Sequence, residues 1–291
     1  MTLDYTEEGN FNIDMRKYLD AMIVEFPHKL SDKVKFPWTE KMFKVDKEEK
    51  KLGYEKKEIF HSFVMKAKFL TKRGRADVHP GIFFLAPRVK ELTTQDWMKL
   101  LRVISDLKCT RDDLLTLETD NEQTLYWYVD ASFYVHANMK RHTGSVFYLV
   151  KGMIVEDSIK QKVNARSSAE SDLIGVDDII SKILWTRKFW ECQVFKVKVS
   201  IIYQDNTSTM KLQKNGKTRS GNRSRPYYIK YFYVTYLIGR GKVQVIYCPT
   251  DDMLCDYITK PLVGSNFVKF RYLIMNLLNK YHRVHQQGCV G

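Results

Sequence analysis

At 291 residues, 44% hydrophobic and 28% charged, the chain has globular composition and room for one large or two ordinary domains. No apolar run approaches the ~20 residues of a membrane-spanning helix, and the polar, acidic opening reads as neither a secretory signal nor a transit peptide. A net charge of +14 points to a polyanionic partner, and five scattered cysteines argue against a disulfide framework. A reducing, intracellular setting in cytoplasm or nucleus is expected.

Taken in chain order, Thr2–Tyr5 and Asn10–Ile13 flank a turn and predict a hairpin, followed by a helix carrying Tyr18, Met22, Ile23 and Phe26. The charge-rich stretch 28–55 is aperiodic and reads as a loop. Two or three helices follow. One covers about 57–71, with Phe60, Phe63, Val64, Ala67 and Phe69 on its apolar side. Another covers about 94–108, where Trp97, Leu100, Leu101, Ile104 and Leu107 form a stripe of helical period opened by Thr94 as N-cap.

Beyond residue 122 the period changes. Leu125–Phe133, Thr143–Val150 and Gly152–Asp157 predict three successive strands, and Ala169–Cys192 a long helix. Lys196–Tyr203 predicts a fourth strand, Tyr227–Ile238 a second helix, Lys242–Tyr247 a fifth strand and Thr250–Ile258 a last helix. The order βββαβαβα implies a mixed sheet with helices on its faces.

Four aspartates are placed where such a sheet can gather them. Asp130 lies within the first of these strands, Asp172 in the first turns of the long helix, Asp205 at the end of the fourth strand and Asp256 on the last helix. A carboxylate inside an apolar strand is costly unless something partners it, and Asp130 faces away from Val129 and Ala131. Magnesium takes hard oxygen ligands and keeps several waters, so a few carboxylates on a rigid floor suffice for phosphoryl transfer with two ions ~4 Å apart. From Asn206 to Thr250 there is no acidic residue but nine basic ones, among them Lys211, Lys214, Lys217, Arg219, Arg223 and Arg225. Those six are the expected phosphate contacts, giving affinity without base specificity. The interleaved tyrosines 227, 228, 231 and 233 read mainly as the core side of a helix. His282, His285 and Cys289 have metal-like spacing, read as chance in a terminal tail.

From about Trp127 to Val263 the sequence resembles the ribonuclease H domain of copia-type retrotransposon polyproteins. The resemblance is carried by Tyr-Val-Asp-Ala-Ser-Phe (128–133), His-Thr-Gly-Ser-Val-Phe (142–147), Lys-Gln-Lys (160–162), the Arg-Ser-Ser-Ala-Glu-Ser-Asp-Leu-Ile-Gly stretch (166–175), Tyr-Gln-Asp-Asn (203–206) and the segment from Cys248 to Leu262. Upstream, Gly-Arg-Ala-Asp-Val (74–78) and Asp96–Thr110 resemble the same family's reverse-transcriptase end. The resemblance implies an α/β, ribonuclease H-like five-stranded mixed sheet with helices on both faces, behind a small, mostly helical segment. It implies residues 1–118 as a C-terminal remnant of reverse transcriptase (palm end, thumb- or connection-like helices), 123–263 as the ribonuclease H-like domain and 264–291 as a helical tail.

By the same resemblance Asp130, Asp172, Asp205 and Asp256 are the catalytic, metal-binding carboxylates for two Mg²⁺ (or Mn²⁺) ions, acting on RNA in RNA–DNA hybrids. Family members carry glutamate where Asp172 stands. Glu170 is the runner-up, ~200° away around the helix, so only one of the two can face the ions. The family's Arg-His-x-Asp-Ile stretch is here Arg225, Pro226, Tyr227, Tyr228, Ile229. Gly-Val-Asp-Asp (175–178) imitates the polymerase's Tyr-x-Asp-Asp in letters but falls in the long helix, so polymerase activity is not expected. The alternative reading is a catalytically decayed remnant that binds nucleic acid non-specifically.

Overall fold

The computed structural model describes residues 1–5, 9–46, 48–118, 123–132, 141–149, 151–215, 233–260 and 262–277. They fall into two compact units, residues 1–118 with 261–291, and residues 119–260.

In the first unit, β1 (Thr2–Asp4) and β2 (Asn10–Asp14) precede α1 (Arg16–Glu25), α2 (Tyr54–Thr71), α3 (His79–Leu85), α4 (Thr94–Cys109) and β3 (Leu115–Glu118). The hairpin is present, and β3 pairs antiparallel with β2 to make a three-stranded sheet. The helix core holds Phe60, Val64, Ala67 and Leu70 against Trp97, Leu100, Val103, Ile104 and Leu107. Phe69, expected inside, is 42% exposed; its ring lies against Tyr18 and under the Arg73 guanidinium. The cap of α4 is Thr93, one residue before the expected Thr94. Its hydroxyl accepts from the Asp96 N–H while the Asp96 carboxylate accepts from the Thr93 N–H, a reciprocal capping box.

The second unit contains β4 (Leu125–Ser132), β5 (His142–Tyr148), β6 (Met153–Lys160), α5 (Ser168–Cys192), β7 (Ser200–Gln204), α6 (Thr207–Asn215), α7 (Tyr233–Gly239), β8 (Val243–Tyr247) and α8 (Asp256–Thr259). The expected five-stranded mixed sheet is there, in the order β6-β5-β4-β7-β8, antiparallel through β6-β5-β4 and parallel through β4-β7-β8. One face buries Leu125, Trp127, Val129, Ile202, Val243 and Val245 beneath Val176, Ile180 and Ile183 of α5, Met210 of α6, and Val234 and Leu237 of α7. The alternate residues Tyr126 and Tyr128 face the other way, where Tyr128 stacks on Tyr203 at 4.6 Å.

Several boundaries differ from expectation for local reasons. The fourth strand starts at Ser200 and not at Lys196, because its partner β4 begins only at Leu125, opposite Ser200. The last helix is split: a 3-10 turn over Thr250–Asp252 ends at Met253, whose extended backbone (ψ 96°) interrupts it before α8. Helix α6 lies in the stretch read only as polar and basic. The second predicted helix is described as α7 from Tyr233, and residues 227–232 lie outside the described residues. Asp177 and Asp178 do sit inside α5. Finally α9 (Gly264–Met275) returns the chain to the first unit, where Phe267, Phe270, Ile274 and Met275 are buried. Among the described residues Cys109, Cys192, Cys248 and Cys255 are free thiols, and no helix is long and apolar enough to cross a membrane.

Candidate active site

Parallel pairing of β4 and β7 runs Leu125↔Ser200 to Tyr128↔Tyr203, an offset of 75 residues. Carried two residues further, the same offset sets Asp205, which directly follows β7, level with Asp130. Asp130 pairs across the antiparallel side with Gly144 of β5. A side chain at 144 would place its Cβ 2.3 Å from Thr259 Cγ2, so only glycine lets α8 settle on this part of the sheet. Asp256, the first residue of α8, is thereby brought within electrostatic reach of Asp130.

Asp172 reaches the same place from α5. Its carboxylate accepts from the Ala131 backbone N–H and, at 2.8 Å, from Asn206 Nδ2. Asn206 works in two directions, because its Oδ1 accepts from the N–H groups of Ser208 and Thr209 and so caps α6. The start of α5 is set by Gln161, 1% exposed, whose amide donates to Ser171 O and Thr143 Oγ1.

Burial and like charge have the expected electrostatic result. Burial, then the charges of Asp172, Asp256 and Asp205, push the Asp130 carboxyl up to about 7. Burial raises Asp172 to about 6, with Asp205 adding to it and the Asn206 bond opposing. Asp256 is also raised, by burial first, although its bond to Lys260 opposes. Asp130, Asp172 and Asp256 are buried and Asp205 is half-buried.

The structure thus brings Asp130, Asp172, Asp205 and Asp256 within electrostatic reach of one another. It does not bring Glu170 there. The Glu170 carboxylate instead accepts from the Arg166 N–H at 2.7 Å and its own N–H donates to the Ser167 hydroxyl, so it serves the N-terminal turn of α5. Lys211 and Lys214 are exposed on α6, while Lys217, Arg219, Arg223, Arg225, the Pro226 and Tyr228 changes, and His282, His285 and Cys289 lie outside the described residues. Three further residues belong to the site, and their sequence motifs mark no role for them: Gly144, Asn206 and Lys260. The signal available for Asn206 was its place one residue before a Thr-Ser-Thr helix start.

Among the described residues no group of three or more Asp, Glu, His or Cys side chains stands close enough together to hold a metal ion as it is. The donor set nevertheless has the chemistry for a hard divalent ion: carboxylate oxygens only, from four separate places in the chain, with repulsion that a cation relieves. Asp130 and Asp172 both hold their protons to higher pH than an unfolded carboxyl near 4. The folded, metal-free chain therefore binds more protons between about pH 4 and 7, and the stability this gives is full below about 4 and lost as pH rises through 6 and 7. The metal-free melting temperature is expected to fall between pH 5 and 8, on the order of 5 °C, and Asp130→Asn to remove most of that slope. Thermal melts in chelator test this; equal slopes in the two proteins contradict it.

A 203-residue stretch, 67% of the chain, is 28% identical to a retrovirus-related Pol polyprotein from transposon RE2 of Arabidopsis thaliana. A Pol polyprotein from transposon TNT 1-94 of Nicotiana tabacum is 22% identical over 269 residues, 90% of the chain. The chain is a homologue of plant-transposon Pol polyproteins. The chain spans 14% and 20% of the length of those two relatives. No protein-family profile matches it. Among solved structures, an N-terminal RNase H domain from Mycobacterium tuberculosis is 6% identical, with a TM-score of 0.34 over 47% of this chain and 90% of that one. A foamy viral protease-reverse transcriptase in complex with RNA/DNA hybrid is 14% identical, with a TM-score of 0.43 over 89% of this chain and 30% of that one. The second unit of the chain has the α/β, five-stranded mixed sheet that the resemblance implies.

Proposed function

We propose that the second unit is a divalent-metal-dependent endonuclease of ribonuclease H type, cutting RNA in RNA–DNA hybrids. The observation that supports it is the gathering of Asp130 from β4, Asp172 from α5, Asp205 from just after β7 and Asp256 from α8, with burial and mutual repulsion holding protons on the buried members. In this reading the four carboxylates hold two Mg²⁺ or Mn²⁺ ions. Bound there, the ions supply Lewis acidity toward water and the phosphoryl oxygens. Asn206 and the Ala131 N–H fix the direction of Asp172, and Gly144 admits the helix that presents Asp256. Lys211 and Lys214 add positive charge on α6, whose N-cap is Asn206, offsetting the repulsion of phosphate by the acids. A hybrid is distinguished from DNA by its shape and its 2′-hydroxyls. Residues 1–118 are read as a reverse-transcriptase segment of the same polyprotein, which the tobacco alignment over 90% of the chain supports.

The test is incubation of the purified chain with end-labelled hybrid, double-stranded RNA and double-stranded DNA in Mg²⁺ and in Mn²⁺. Cleavage confined to the RNA of the hybrid is expected, and Asp205→Asn is expected to abolish it. No cleavage in either metal removes the proposal.

One observation favours the second reading, a decayed site that only binds. Asp172 stands where the resembling family has glutamate, and its shorter side chain is held by Asn206. That reading predicts sequence-indifferent, salt-sensitive binding without turnover.

A further inference from the structure

Lys260 belongs to the aspartate cluster as much as the acids do. It is the C-cap of α8, one turn beyond Asp256, and its backbone N–H donates to Asp256 O at 2.9 Å. That turn aims the side chain back over the start of the helix, and Nζ stands 2.7 Å from Asp256 Oδ1. The Asp256 side chain is 7% exposed and that of Lys260 39%, so the pair joins a buried oxygen to an ammonium that still touches water. The same positive charge acts on Asp130 and Asp205. Three of the four aspartates therefore share one lysine.

We propose that Lys260 is the internal counter-ion of this cluster, seated on an oxygen that a divalent ion must take, and that ion entry displaces its ammonium. This rests on the metal reading above. The physical ground is competition for the same lone pairs: a hard cation and an ammonium cannot both occupy Asp256 Oδ1 in full. A lysine suits the exchange, being a compact charge on a flexible four-carbon stem that can swing into solvent without moving the helix. The cluster then has two occupied states. With the ion absent, Lys260 offsets part of the acids' repulsion and keeps α8 in place. With the ion present, the lysine is released into the solvent that it already touches.

The experiment is divalent-ion binding without nucleic acid, following free Mn²⁺ by electron paramagnetic resonance, on wild type, Lys260→Met and Lys260→Arg. Lys260→Met is expected to bind Mn²⁺ about 10-fold more tightly, while Lys260→Arg stays within about 2-fold of wild type. In thermal melts, Lys260→Met is expected to melt lower than wild type in chelator and to gain more from added Mn²⁺. Should Lys260→Met not fold, Lys260→Gln makes the same comparison. Equal or weaker Mn²⁺ binding by the neutral variant, with wild type binding normally, overturns this inference and leaves the metal reading standing. No binding by any of the proteins overturns both.

Discussion

Asp172→Glu is expected to raise the rate of hybrid cleavage about 100-fold over wild type, because the carboxylate at this position is one methylene short of the resembling family's and ~1 Å of misplacement costs about that much. The structure says why the shortfall is not made up by the backbone. The capped first turn of α5 is fixed by Ser167, Glu170 and Gln161, so the helix cannot slide toward the other acids. The carboxylate is also retained by Asn206 at 2.8 Å and by the Ala131 N–H. A glutamate adds the methylene that the resembling family has at this position. Single-turnover rates on a labelled hybrid are the measure, with melting temperature as a check that the fold is kept. An unchanged rate means that Asp172 already stands where it works, or that something else disables the site. Activity appearing only in the glutamate variant decides for decay of the site on an intact scaffold.

The second large effect is on stability, in the other unit. Arg271→Met is expected to destabilise the first unit by about 3–5 kcal/mol, since removing one member of a buried ionic group leaves its partners uncompensated. Arg271 of α9 is paired with both Asp77 and Asp106, its Nε standing 3.0 Å from Asp77 Oδ2. Arg75 completes the group with bonds of 2.9 and 2.8 Å to Asp77, and it also donates to the carbonyl and hydroxyl of Thr110 beyond the end of α4. All four charged side chains are at most 8% exposed. Burial works against the Asp77 carboxylate, yet Arg75 and Arg271 keep it below its ordinary range; Asp106 is raised by burial even with Arg271 beside it. Taking Arg271 away therefore costs far more than a surface ion pair would. A melting temperature lower by about 10 °C is expected, and Arg271→Met combined with Asp106→Leu is expected to regain part of it. A melt within about 1 °C of wild type for the single variant would show the group to be balanced by other means.

What the sequence made legible follows from how local each cause is. Strand period placed β4, β5 and β6, and a 25-residue helix was unmistakable once its apolar residues repeated at helical spacing. Asp130 and Asp205 were found as charges set in or just beyond apolar strands, a cost visible in the letters. The missed parts depend on partners far away in the chain. Strand β3 is four residues long and is a strand because Asn10–Ile13, about a hundred residues earlier, pair with it. Helix α6 hides in polar letters because its buried side includes Thr209 and Gln213 as well as Met210. The need for glycine at 144 arises from Thr259, and the role of Lys260 from the turn that brings it over Asp256. The resemblance ranks Asp172 over Glu170, and the physical reason lies in the Arg166 N–H and the Ser167 hydroxyl, which engage Glu170.

The return of α9 has a consequence for the order of assembly. Every residue of the sheet unit precedes Pro261, so that unit is fully available once Lys260 has left the ribosome and its exit tunnel. The part of the first unit that precedes the sheet unit in the chain is completed after it, because Arg271 and the buried face of α9 arrive only afterwards. Until then Asp77 and Asp106 lack the guanidinium that they share, and the nascent chain carries an unfinished helical core and a finished sheet unit.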